Sequence, residues 1–93
     1  MNYSGSVATS LAGRDKGRRF IVVGVLDEEY VLIADGRVRK IEKPKKKKLK
    51  HLKVEVTGAD QITDLIKDNL LTNKTAAKIL ASYHNIVPNL KKE

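Results

Sequence analysis

The run Phe20-Ile21-Val22-Val23-Gly24-Val25-Leu26 is rich in β-branched residues and apolar on both faces. Such a segment has no side suited to water, so it reads as a strand near the centre of a small closed sheet. Gly24 inside it marks a bend or bulge. At seven residues the run is far short of the roughly 18 to 20 apolar residues that span a bilayer. It also follows a polar, glycine-containing stretch, which is the wrong setting for a signal peptide. Ninety-three residues suit one domain with at most a small appendage, so a deep catalytic cleft is not expected. Cysteine is absent, which excludes a disulfide framework and a thiolate cage or nucleophile and fits a reducing, cytoplasmic setting without a membrane.

Other strands fall into place around this one. Gly5 to Leu11 alternates with the period of a half-buried strand, Val7, Thr9 and Leu11 on one face and Ser6, Ala8 and Ser10 on the other. Ala12 to Arg18 reads as a basic loop in which Gly13 and Gly17 supply positive φ. Asp27-Glu28-Glu29 is an acidic turn, and Tyr30 to Ala34 a third strand. Asp35-Gly36 then suggests a two-residue type I′ hairpin. A fourth strand is expected from Arg37 to near Lys40 with Val38 inward, closed off by Pro44, leaving Lys43 to Lys48 as a loop. The Leu49 to Leu52 spacing suits a 3₁₀ turn, and Lys53 to Val56 a fifth strand. Five short strands with tight turns point to a small β-barrel.

The period then changes. Ile62, Leu65, Ile66 and Leu70 form one helical stripe, and Ala76, Ile79, Leu80 and Tyr83 a second. Asp60 and Thr63 are candidate caps of the first helix and Thr72 of the second, which Pro88 ends; Lys91, Lys92 and Glu93 are expected to fray. Each helix is too short to stand alone, so the pair is expected to pack together or to cover one barrel surface. The expected organisation is a barrel over residues 1–56 and a helical extension over 57–93, an α+β chain.

Charge is distributed unevenly. Between Arg37 and Lys53, ten of seventeen residues are Lys or Arg against one acid, Glu42. Residues 1–53 carry a net charge of +8 and residues 54–93 none. Clustered like charge repels itself and is readily offset by a phosphate backbone, so the basic run and the Gly13 to Arg19 loop are expected to meet on one face and bind a polyanion. Aromatic residues are few and none lies within the basic run, with Phe20 and Tyr30 expected in the core. Contact with nucleic acid should therefore read shape and backbone rather than stacked bases. Pro44-Lys45-Lys46-Lys47-Lys48 would also serve as a nuclear localisation signal in a nucleated host. A DNA-reading helix-turn-helix fits poorly, because residues 54–93 are net neutral.

Catalytic and metal chemistry find little support. His51 and His84 have no partner at ligand spacing, and Asp60, Asp64 and Asp68 suit a solvated helix face. No nucleophile with its base and no phosphate-binding P-loop motif is visible, so neither an enzyme nor a cofactor is expected.

Ser6 to Val25, with a strand, the loop Gly13-Arg14-Asp15-Lys16-Gly17 and a hydrophobic strand in order, resembles a KOW motif. Its continuation through Val31 to Gly36 and Lys43 to Leu52 is similar to the large-subunit ribosomal protein family fourteen of archaea and eukaryotes, and to the bacterial KOW domain-containing RNA-binding proteins. Residues 5 to 54 carry the resemblance. It implies an SH3-like barrel that binds ribosomal RNA, with the glycine loop and basic surface against phosphates. The chain departs from many KOW motifs in having Arg18-Arg19-Phe20 where a further glycine often follows Gly17, and the helical pair lies outside the motif. The expected RNA-binding residues are Gly13, Arg14, Lys16, Gly17, Arg18, Arg19, Arg37, Arg39, Lys40, Lys43, Lys45, Lys46, Lys47, Lys48, Lys50 and His51. The expected partners are large-subunit RNA and neighbouring ribosomal proteins, with a monomer when free. The alternative is a protein-interaction module of a transcription or translation factor complex.

Overall fold

A computed structural model describes residues 3–56 and 60–86, with residues 60 and 84–86 described by backbone alone. Five strands form one antiparallel sheet: β1 (Val7–Ser10), β2 (Arg19–Val25), β3 (Tyr30–Ala34), β4 (Lys45–Lys48) and β5 (Leu52–Val56), in the order β4-β3-β2-β1-β5. Helices α1 (Asp60–Lys67) and α2 (Asn73–Ile86) follow. The architecture is α+β, as expected. The expected boundary at residues 56 and 57, the Pro88 stop and the terminal Lys91 to Glu93 involve positions outside the described residues. Among the described residues no helix is long and apolar enough to cross a membrane.

β2 lies at the centre of the sheet and is buried on both faces. Phe20 and Val22 join Ala8, Val31, Ile33 and Leu52 in one cluster. Ile21 joins Val7 and the helix residues Ile62, Ala76, Ile79 and Leu80 in another. The helical pair thus covers one face of the sheet. The register between β2 and β3 shifts between Val22 and Gly24, which is the expected irregularity at Gly24. β1 differs from its expected pattern: Val7 and Ala8 are both fully buried on opposite faces, while Leu11 lies beyond the strand and is 48% exposed.

The fourth strand is the largest correction. Arg37 to Lys40 is not a strand, and Val38 is exposed rather than inward. Asp35 instead folds this segment on itself: its Oδ1 accepts from the amides of Arg37 and Arg39, both at 2.9 Å, and the amides of Asp35 and Gly36 donate to the Arg39 carbonyl. A type I′ turn needs positive φ at both centres, and only Gly36, at +80°, has it. The strand is the expected loop, Lys45–Lys48, paired with β3 so that Val31 faces Lys47 and Ile33 faces Lys45. Pro44 precedes this strand, where no ladder amide is required.

β4 and β5 are the two edges of the sheet, yet only the 3₁₀ turn Leu49–His51 separates them in sequence. A flat sheet would hold these edges roughly 19 Å apart, whereas three 3₁₀ residues rise about 6 Å. The sheet is therefore curled. The turn fastens the curl by donating from the Leu49 amide to the Glu29 carbonyl at 2.7 Å and accepting from the Leu11 amide at the His51 carbonyl at 2.8 Å.

The helices match their stripes except at Leu70. α1 ends at Lys67, so Leu70 is outside it and 61% exposed. The end is a Schellman motif with Asn69 at φ 59°, its amide donating to Ile66 and that of Leu70 to Leu65. Thr63 lies within α1 and does not cap it, while the Asp60 side chain is outside the described residues. Thr72 does cap α2, its Oγ1 accepting from the Thr75 amide at 3.1 Å.

Candidate functional site

The loop after β1 is built from successive turns. Lys16 N donates to Gly13 O, Arg18 N to Asp15 O and Gly17 N to Ser10 O. Gly13 and Gly17 take φ of +81° and +87°, which L side chains rarely adopt. These turns place the Arg14, Lys16 and Arg18 side chains in solvent and turn Asp15 inward, where it is 4% exposed.

Asp15 draws the basic segments together. Its Oδ2 accepts from Lys45 Nζ at 2.9 Å and from Arg39 at 3.2 Å. Burial pushes its carboxyl upward, but the hydrogen bonds and charges of Lys45 and Arg39 outweigh that and hold it below the ordinary carboxylate value. One carboxylate thus ties together the Gly13 to Arg19 loop, the Asp35 to Lys43 loop and the start of β4. The expected meeting of the two basic segments is present, and its agent is the acid that sequence reasoning passed over.

Alternation along β4 divides four identical side chains into two sets. Lys45 and Lys47 share the face of Val31 and Ile33 and reach across to the first loop. Lys47 is 8% exposed and its Nζ donates to the Ala12 carbonyl at 2.9 Å. Lys46 and Lys48 point the other way, over the Tyr30 ring, with their ammonium groups 4.4 and 5.9 Å from its centroid. Tyr30 is accordingly half-buried rather than core, unlike the fully buried Phe20. An aromatic ring does therefore sit in the basic surface, contributed by a neighbouring strand.

The expected binding residues occupy three places. Arg14, Lys16, Arg18, Arg37, Lys40 and Lys43 are exposed on the two loops, with Arg19 half-buried beside them. Among the described residues none of these seven is in an ion pair. Arg39, Lys45 and Lys47 are committed to Asp15 and Ala12. Lys46 and Lys48 flank Tyr30, and Lys48 and Lys50 line a shallow groove with Glu28, Glu29 and Leu49. His51 is half-buried, its carbonyl held by Leu11.

The second loop is fixed by a residue of α2. Asn73 Oδ1 accepts from the Ile41 amide at 2.7 Å, and its Nδ2 donates to both Glu42 oxygens, at 2.9 and 3.1 Å. The Asn73 amide holds the exposed Glu42 carboxyl below its ordinary value. Gly36 packs so closely on Asn73 that a Cβ there would collide with the Asn73 carbonyl. A side chain hydrogen-bonded three times in the fold is silent in sequence, since Asn73 reads only as part of the helix start. Asp64 and Asp68 are exposed, consistent with a solvated face.

Comparison with protein-family models and with curated proteins finds no match for this chain.

Proposed function

We propose that this chain is a non-catalytic RNA-binding protein that contacts ribosomal RNA of the large subunit, as a ribosomal or translation-associated protein, through an SH3-like barrel of KOW type. The observation that carries the reading is the gathering of Arg14, Lys16, Arg18, Arg37, Lys40 and Lys43 on two loops tied by Asp15, all exposed and without an ion-pair partner among the described residues. Uncompensated cations held on a fixed backbone attract phosphates without rearrangement. The barrel reading draws on the curled sheet, whose edges β4 and β5 approach at the 3₁₀ turn, and on Lys45 and Lys47, which reach from β4 to the loop after β1.

Binding to ribosomal RNA fragments is expected to fall steeply with salt, with a log-log slope of about −4 to −7 for five to eight phosphate contacts. Replacing the six exposed loop cations by Ala should flatten that slope and lower affinity at physiological salt. Unchanged affinity in that variant would count against the reading. Sedimentation of native lysate at low and high salt places the protein further. Comigration with the large subunit that resists salt marks an integrated component, and salt-stripping a peripheral one.

The second reading, a module that binds a transcription or translation factor, is favoured by a different observation. Leu11, Val25 and Leu26 are 48%, 41% and 50% exposed. A partner complex that survives both nuclease and moderate salt would favour it.

A further inference from the structure

Arg18, Arg19 and Arg37 line one groove of about 320 Å³, together with Gly17 and Asp35, and its other wall is Ala77, Leu80 and Ala81 of α2. Three arginines and a single acid line it, and Asp35 spends its Oδ1 on the amides of Arg37 and Arg39. None of the three arginines forms an ion pair among the described residues. Arg19 Nε is shut off from solvent and has no hydrogen-bond acceptor. A buried donor of this kind is costly to leave unmatched, and native proteins rarely do so without a ligand, ion or water to receive it. Nε is closed to the groove as the side chain lies, so a phosphate there engages it when Arg19 turns outward; its planar fork then fits a phosphate in two-point contact, with the small Ala77 and Ala81 side chains on the opposite wall.

We propose that this groove seats a phosphate group of an RNA backbone between the two basic loops and α2. The inference rests on the RNA-binding reading and extends it to the neutral half of the chain. The helical pair then does more than cover the sheet. It supplies no charge to the interface but forms the wall that fixes where the phosphate stops.

Two variants one residue apart test the seat. Ala81→Glu places a carboxylate on the groove wall at an exposed helix position. Ser82→Glu makes the same charge change at an exposed position that lines a different cavity, with Lys78 and Tyr83. Circular dichroism checks that both fold. Inorganic phosphate is titrated while the Arg19 Nε–H resonance is followed by NMR. The expected result is a shift in the wild type and in Ser82→Glu that is lost in Ala81→Glu. No shift at Arg19, or an equal shift in all three, overturns the seat.

Affinity for a ribosomal RNA fragment is read on the same proteins. Ala81→Glu should weaken it about tenfold and Ser82→Glu by much less. Equal losses in the two variants overturn the placement of RNA phosphate in this groove, even if the wild type binds RNA and the broader reading stands. A phosphate shift at Arg19 in a wild type that binds no RNA fragment overturns RNA as the source and the proposed function with it, and leaves a site for some other phosphorylated ligand.

Discussion

β2 and β4 belong to the same sheet, and each is nearly uniform in its side chains. β2 is apolar throughout its central residues and buried on both sides, so its strand character follows from what its side chains must avoid. β4 is four lysines, a residue type depleted in strands, and nothing in its own side chains calls for extended backbone. It is a strand because β3 offers a ladder at the sheet edge and because alternate lysines find separate partners: a carboxylate and a carbonyl on one side, an aromatic ring on the other. Inward-pointing charge also protects an edge from pairing with another chain. Density of charge along a sequence is therefore a poor count of the charge free to bind. Pleating converts one homogeneous run into structural and solvent-facing halves.

The sharpest contrast should come from cutting into β2. Phe20→Ala is expected to cost about 3 to 5 kcal/mol, measured by urea unfolding, because the cavity would open in the buried cluster that Phe20 forms with residues of β1, β3 and β5. Lys47→Ala should cost about 1 to 3 kcal/mol in the same assay, since it removes a charged donor from the Ala12 carbonyl. A loss near zero there would erase the distinction between the two faces of β4.

Acid titration addresses Lys45 and Arg39 through their shared partner. The folded Asp15 carboxyl is depressed, so its contribution to stability is complete above the unfolded value of about 3.9 and is lost as pH falls through the lower folded value. Asp15→Asn should remove that part of the acid dependence and weaken the fold at neutral pH. An acid-unfolding profile identical to the wild type's would contradict the assignment. The smallest effect is expected at Lys46: Lys46→Ala should change stability by no more than about 0.5 kcal/mol while reducing RNA affinity and its salt slope. A loss of stability matching that of Lys47→Ala would mean that the pleat does not separate their roles.

Much of the fold is legible in the residues because it follows from local rules. The central strand, the Asp27 turn, the 3₁₀ turn, the Thr72 cap and the apolar stripes of both helices all depend on nearby spacing or on a side chain's own chemistry. The errors cluster where a distant partner decides. Asp35-Gly36 carries a hairpin signal, yet Asn73 and Asp35 hold the segment as a loop and postpone the strand to Lys45. Of the candidate site, the residue types and the convergence of two basic segments were legible from charge. Which cations are spent internally was not, because Asp15 differs from a surface acid only through contacts 24 and 30 residues away. Tyr30 was hidden for the same reason: its apolar neighbours in sequence suggest a core, and its neighbours across the ladder are lysines.

The Asn73 contacts set an order on how the chain can mature. A polypeptide is made from its N-terminus, and every strand of the sheet precedes the residue that pins the Ile41 and Glu42 loop, 32 and 31 positions earlier. A nascent chain ending before Asn73 holds all five strands and yet lacks the clasp on one of its two basic loops. The Ile41 and Glu42 end of that loop gains its clasp only once α2 begins, so the ladder contacts of the sheet and the contacts that pin this loop are laid down at different stages of synthesis.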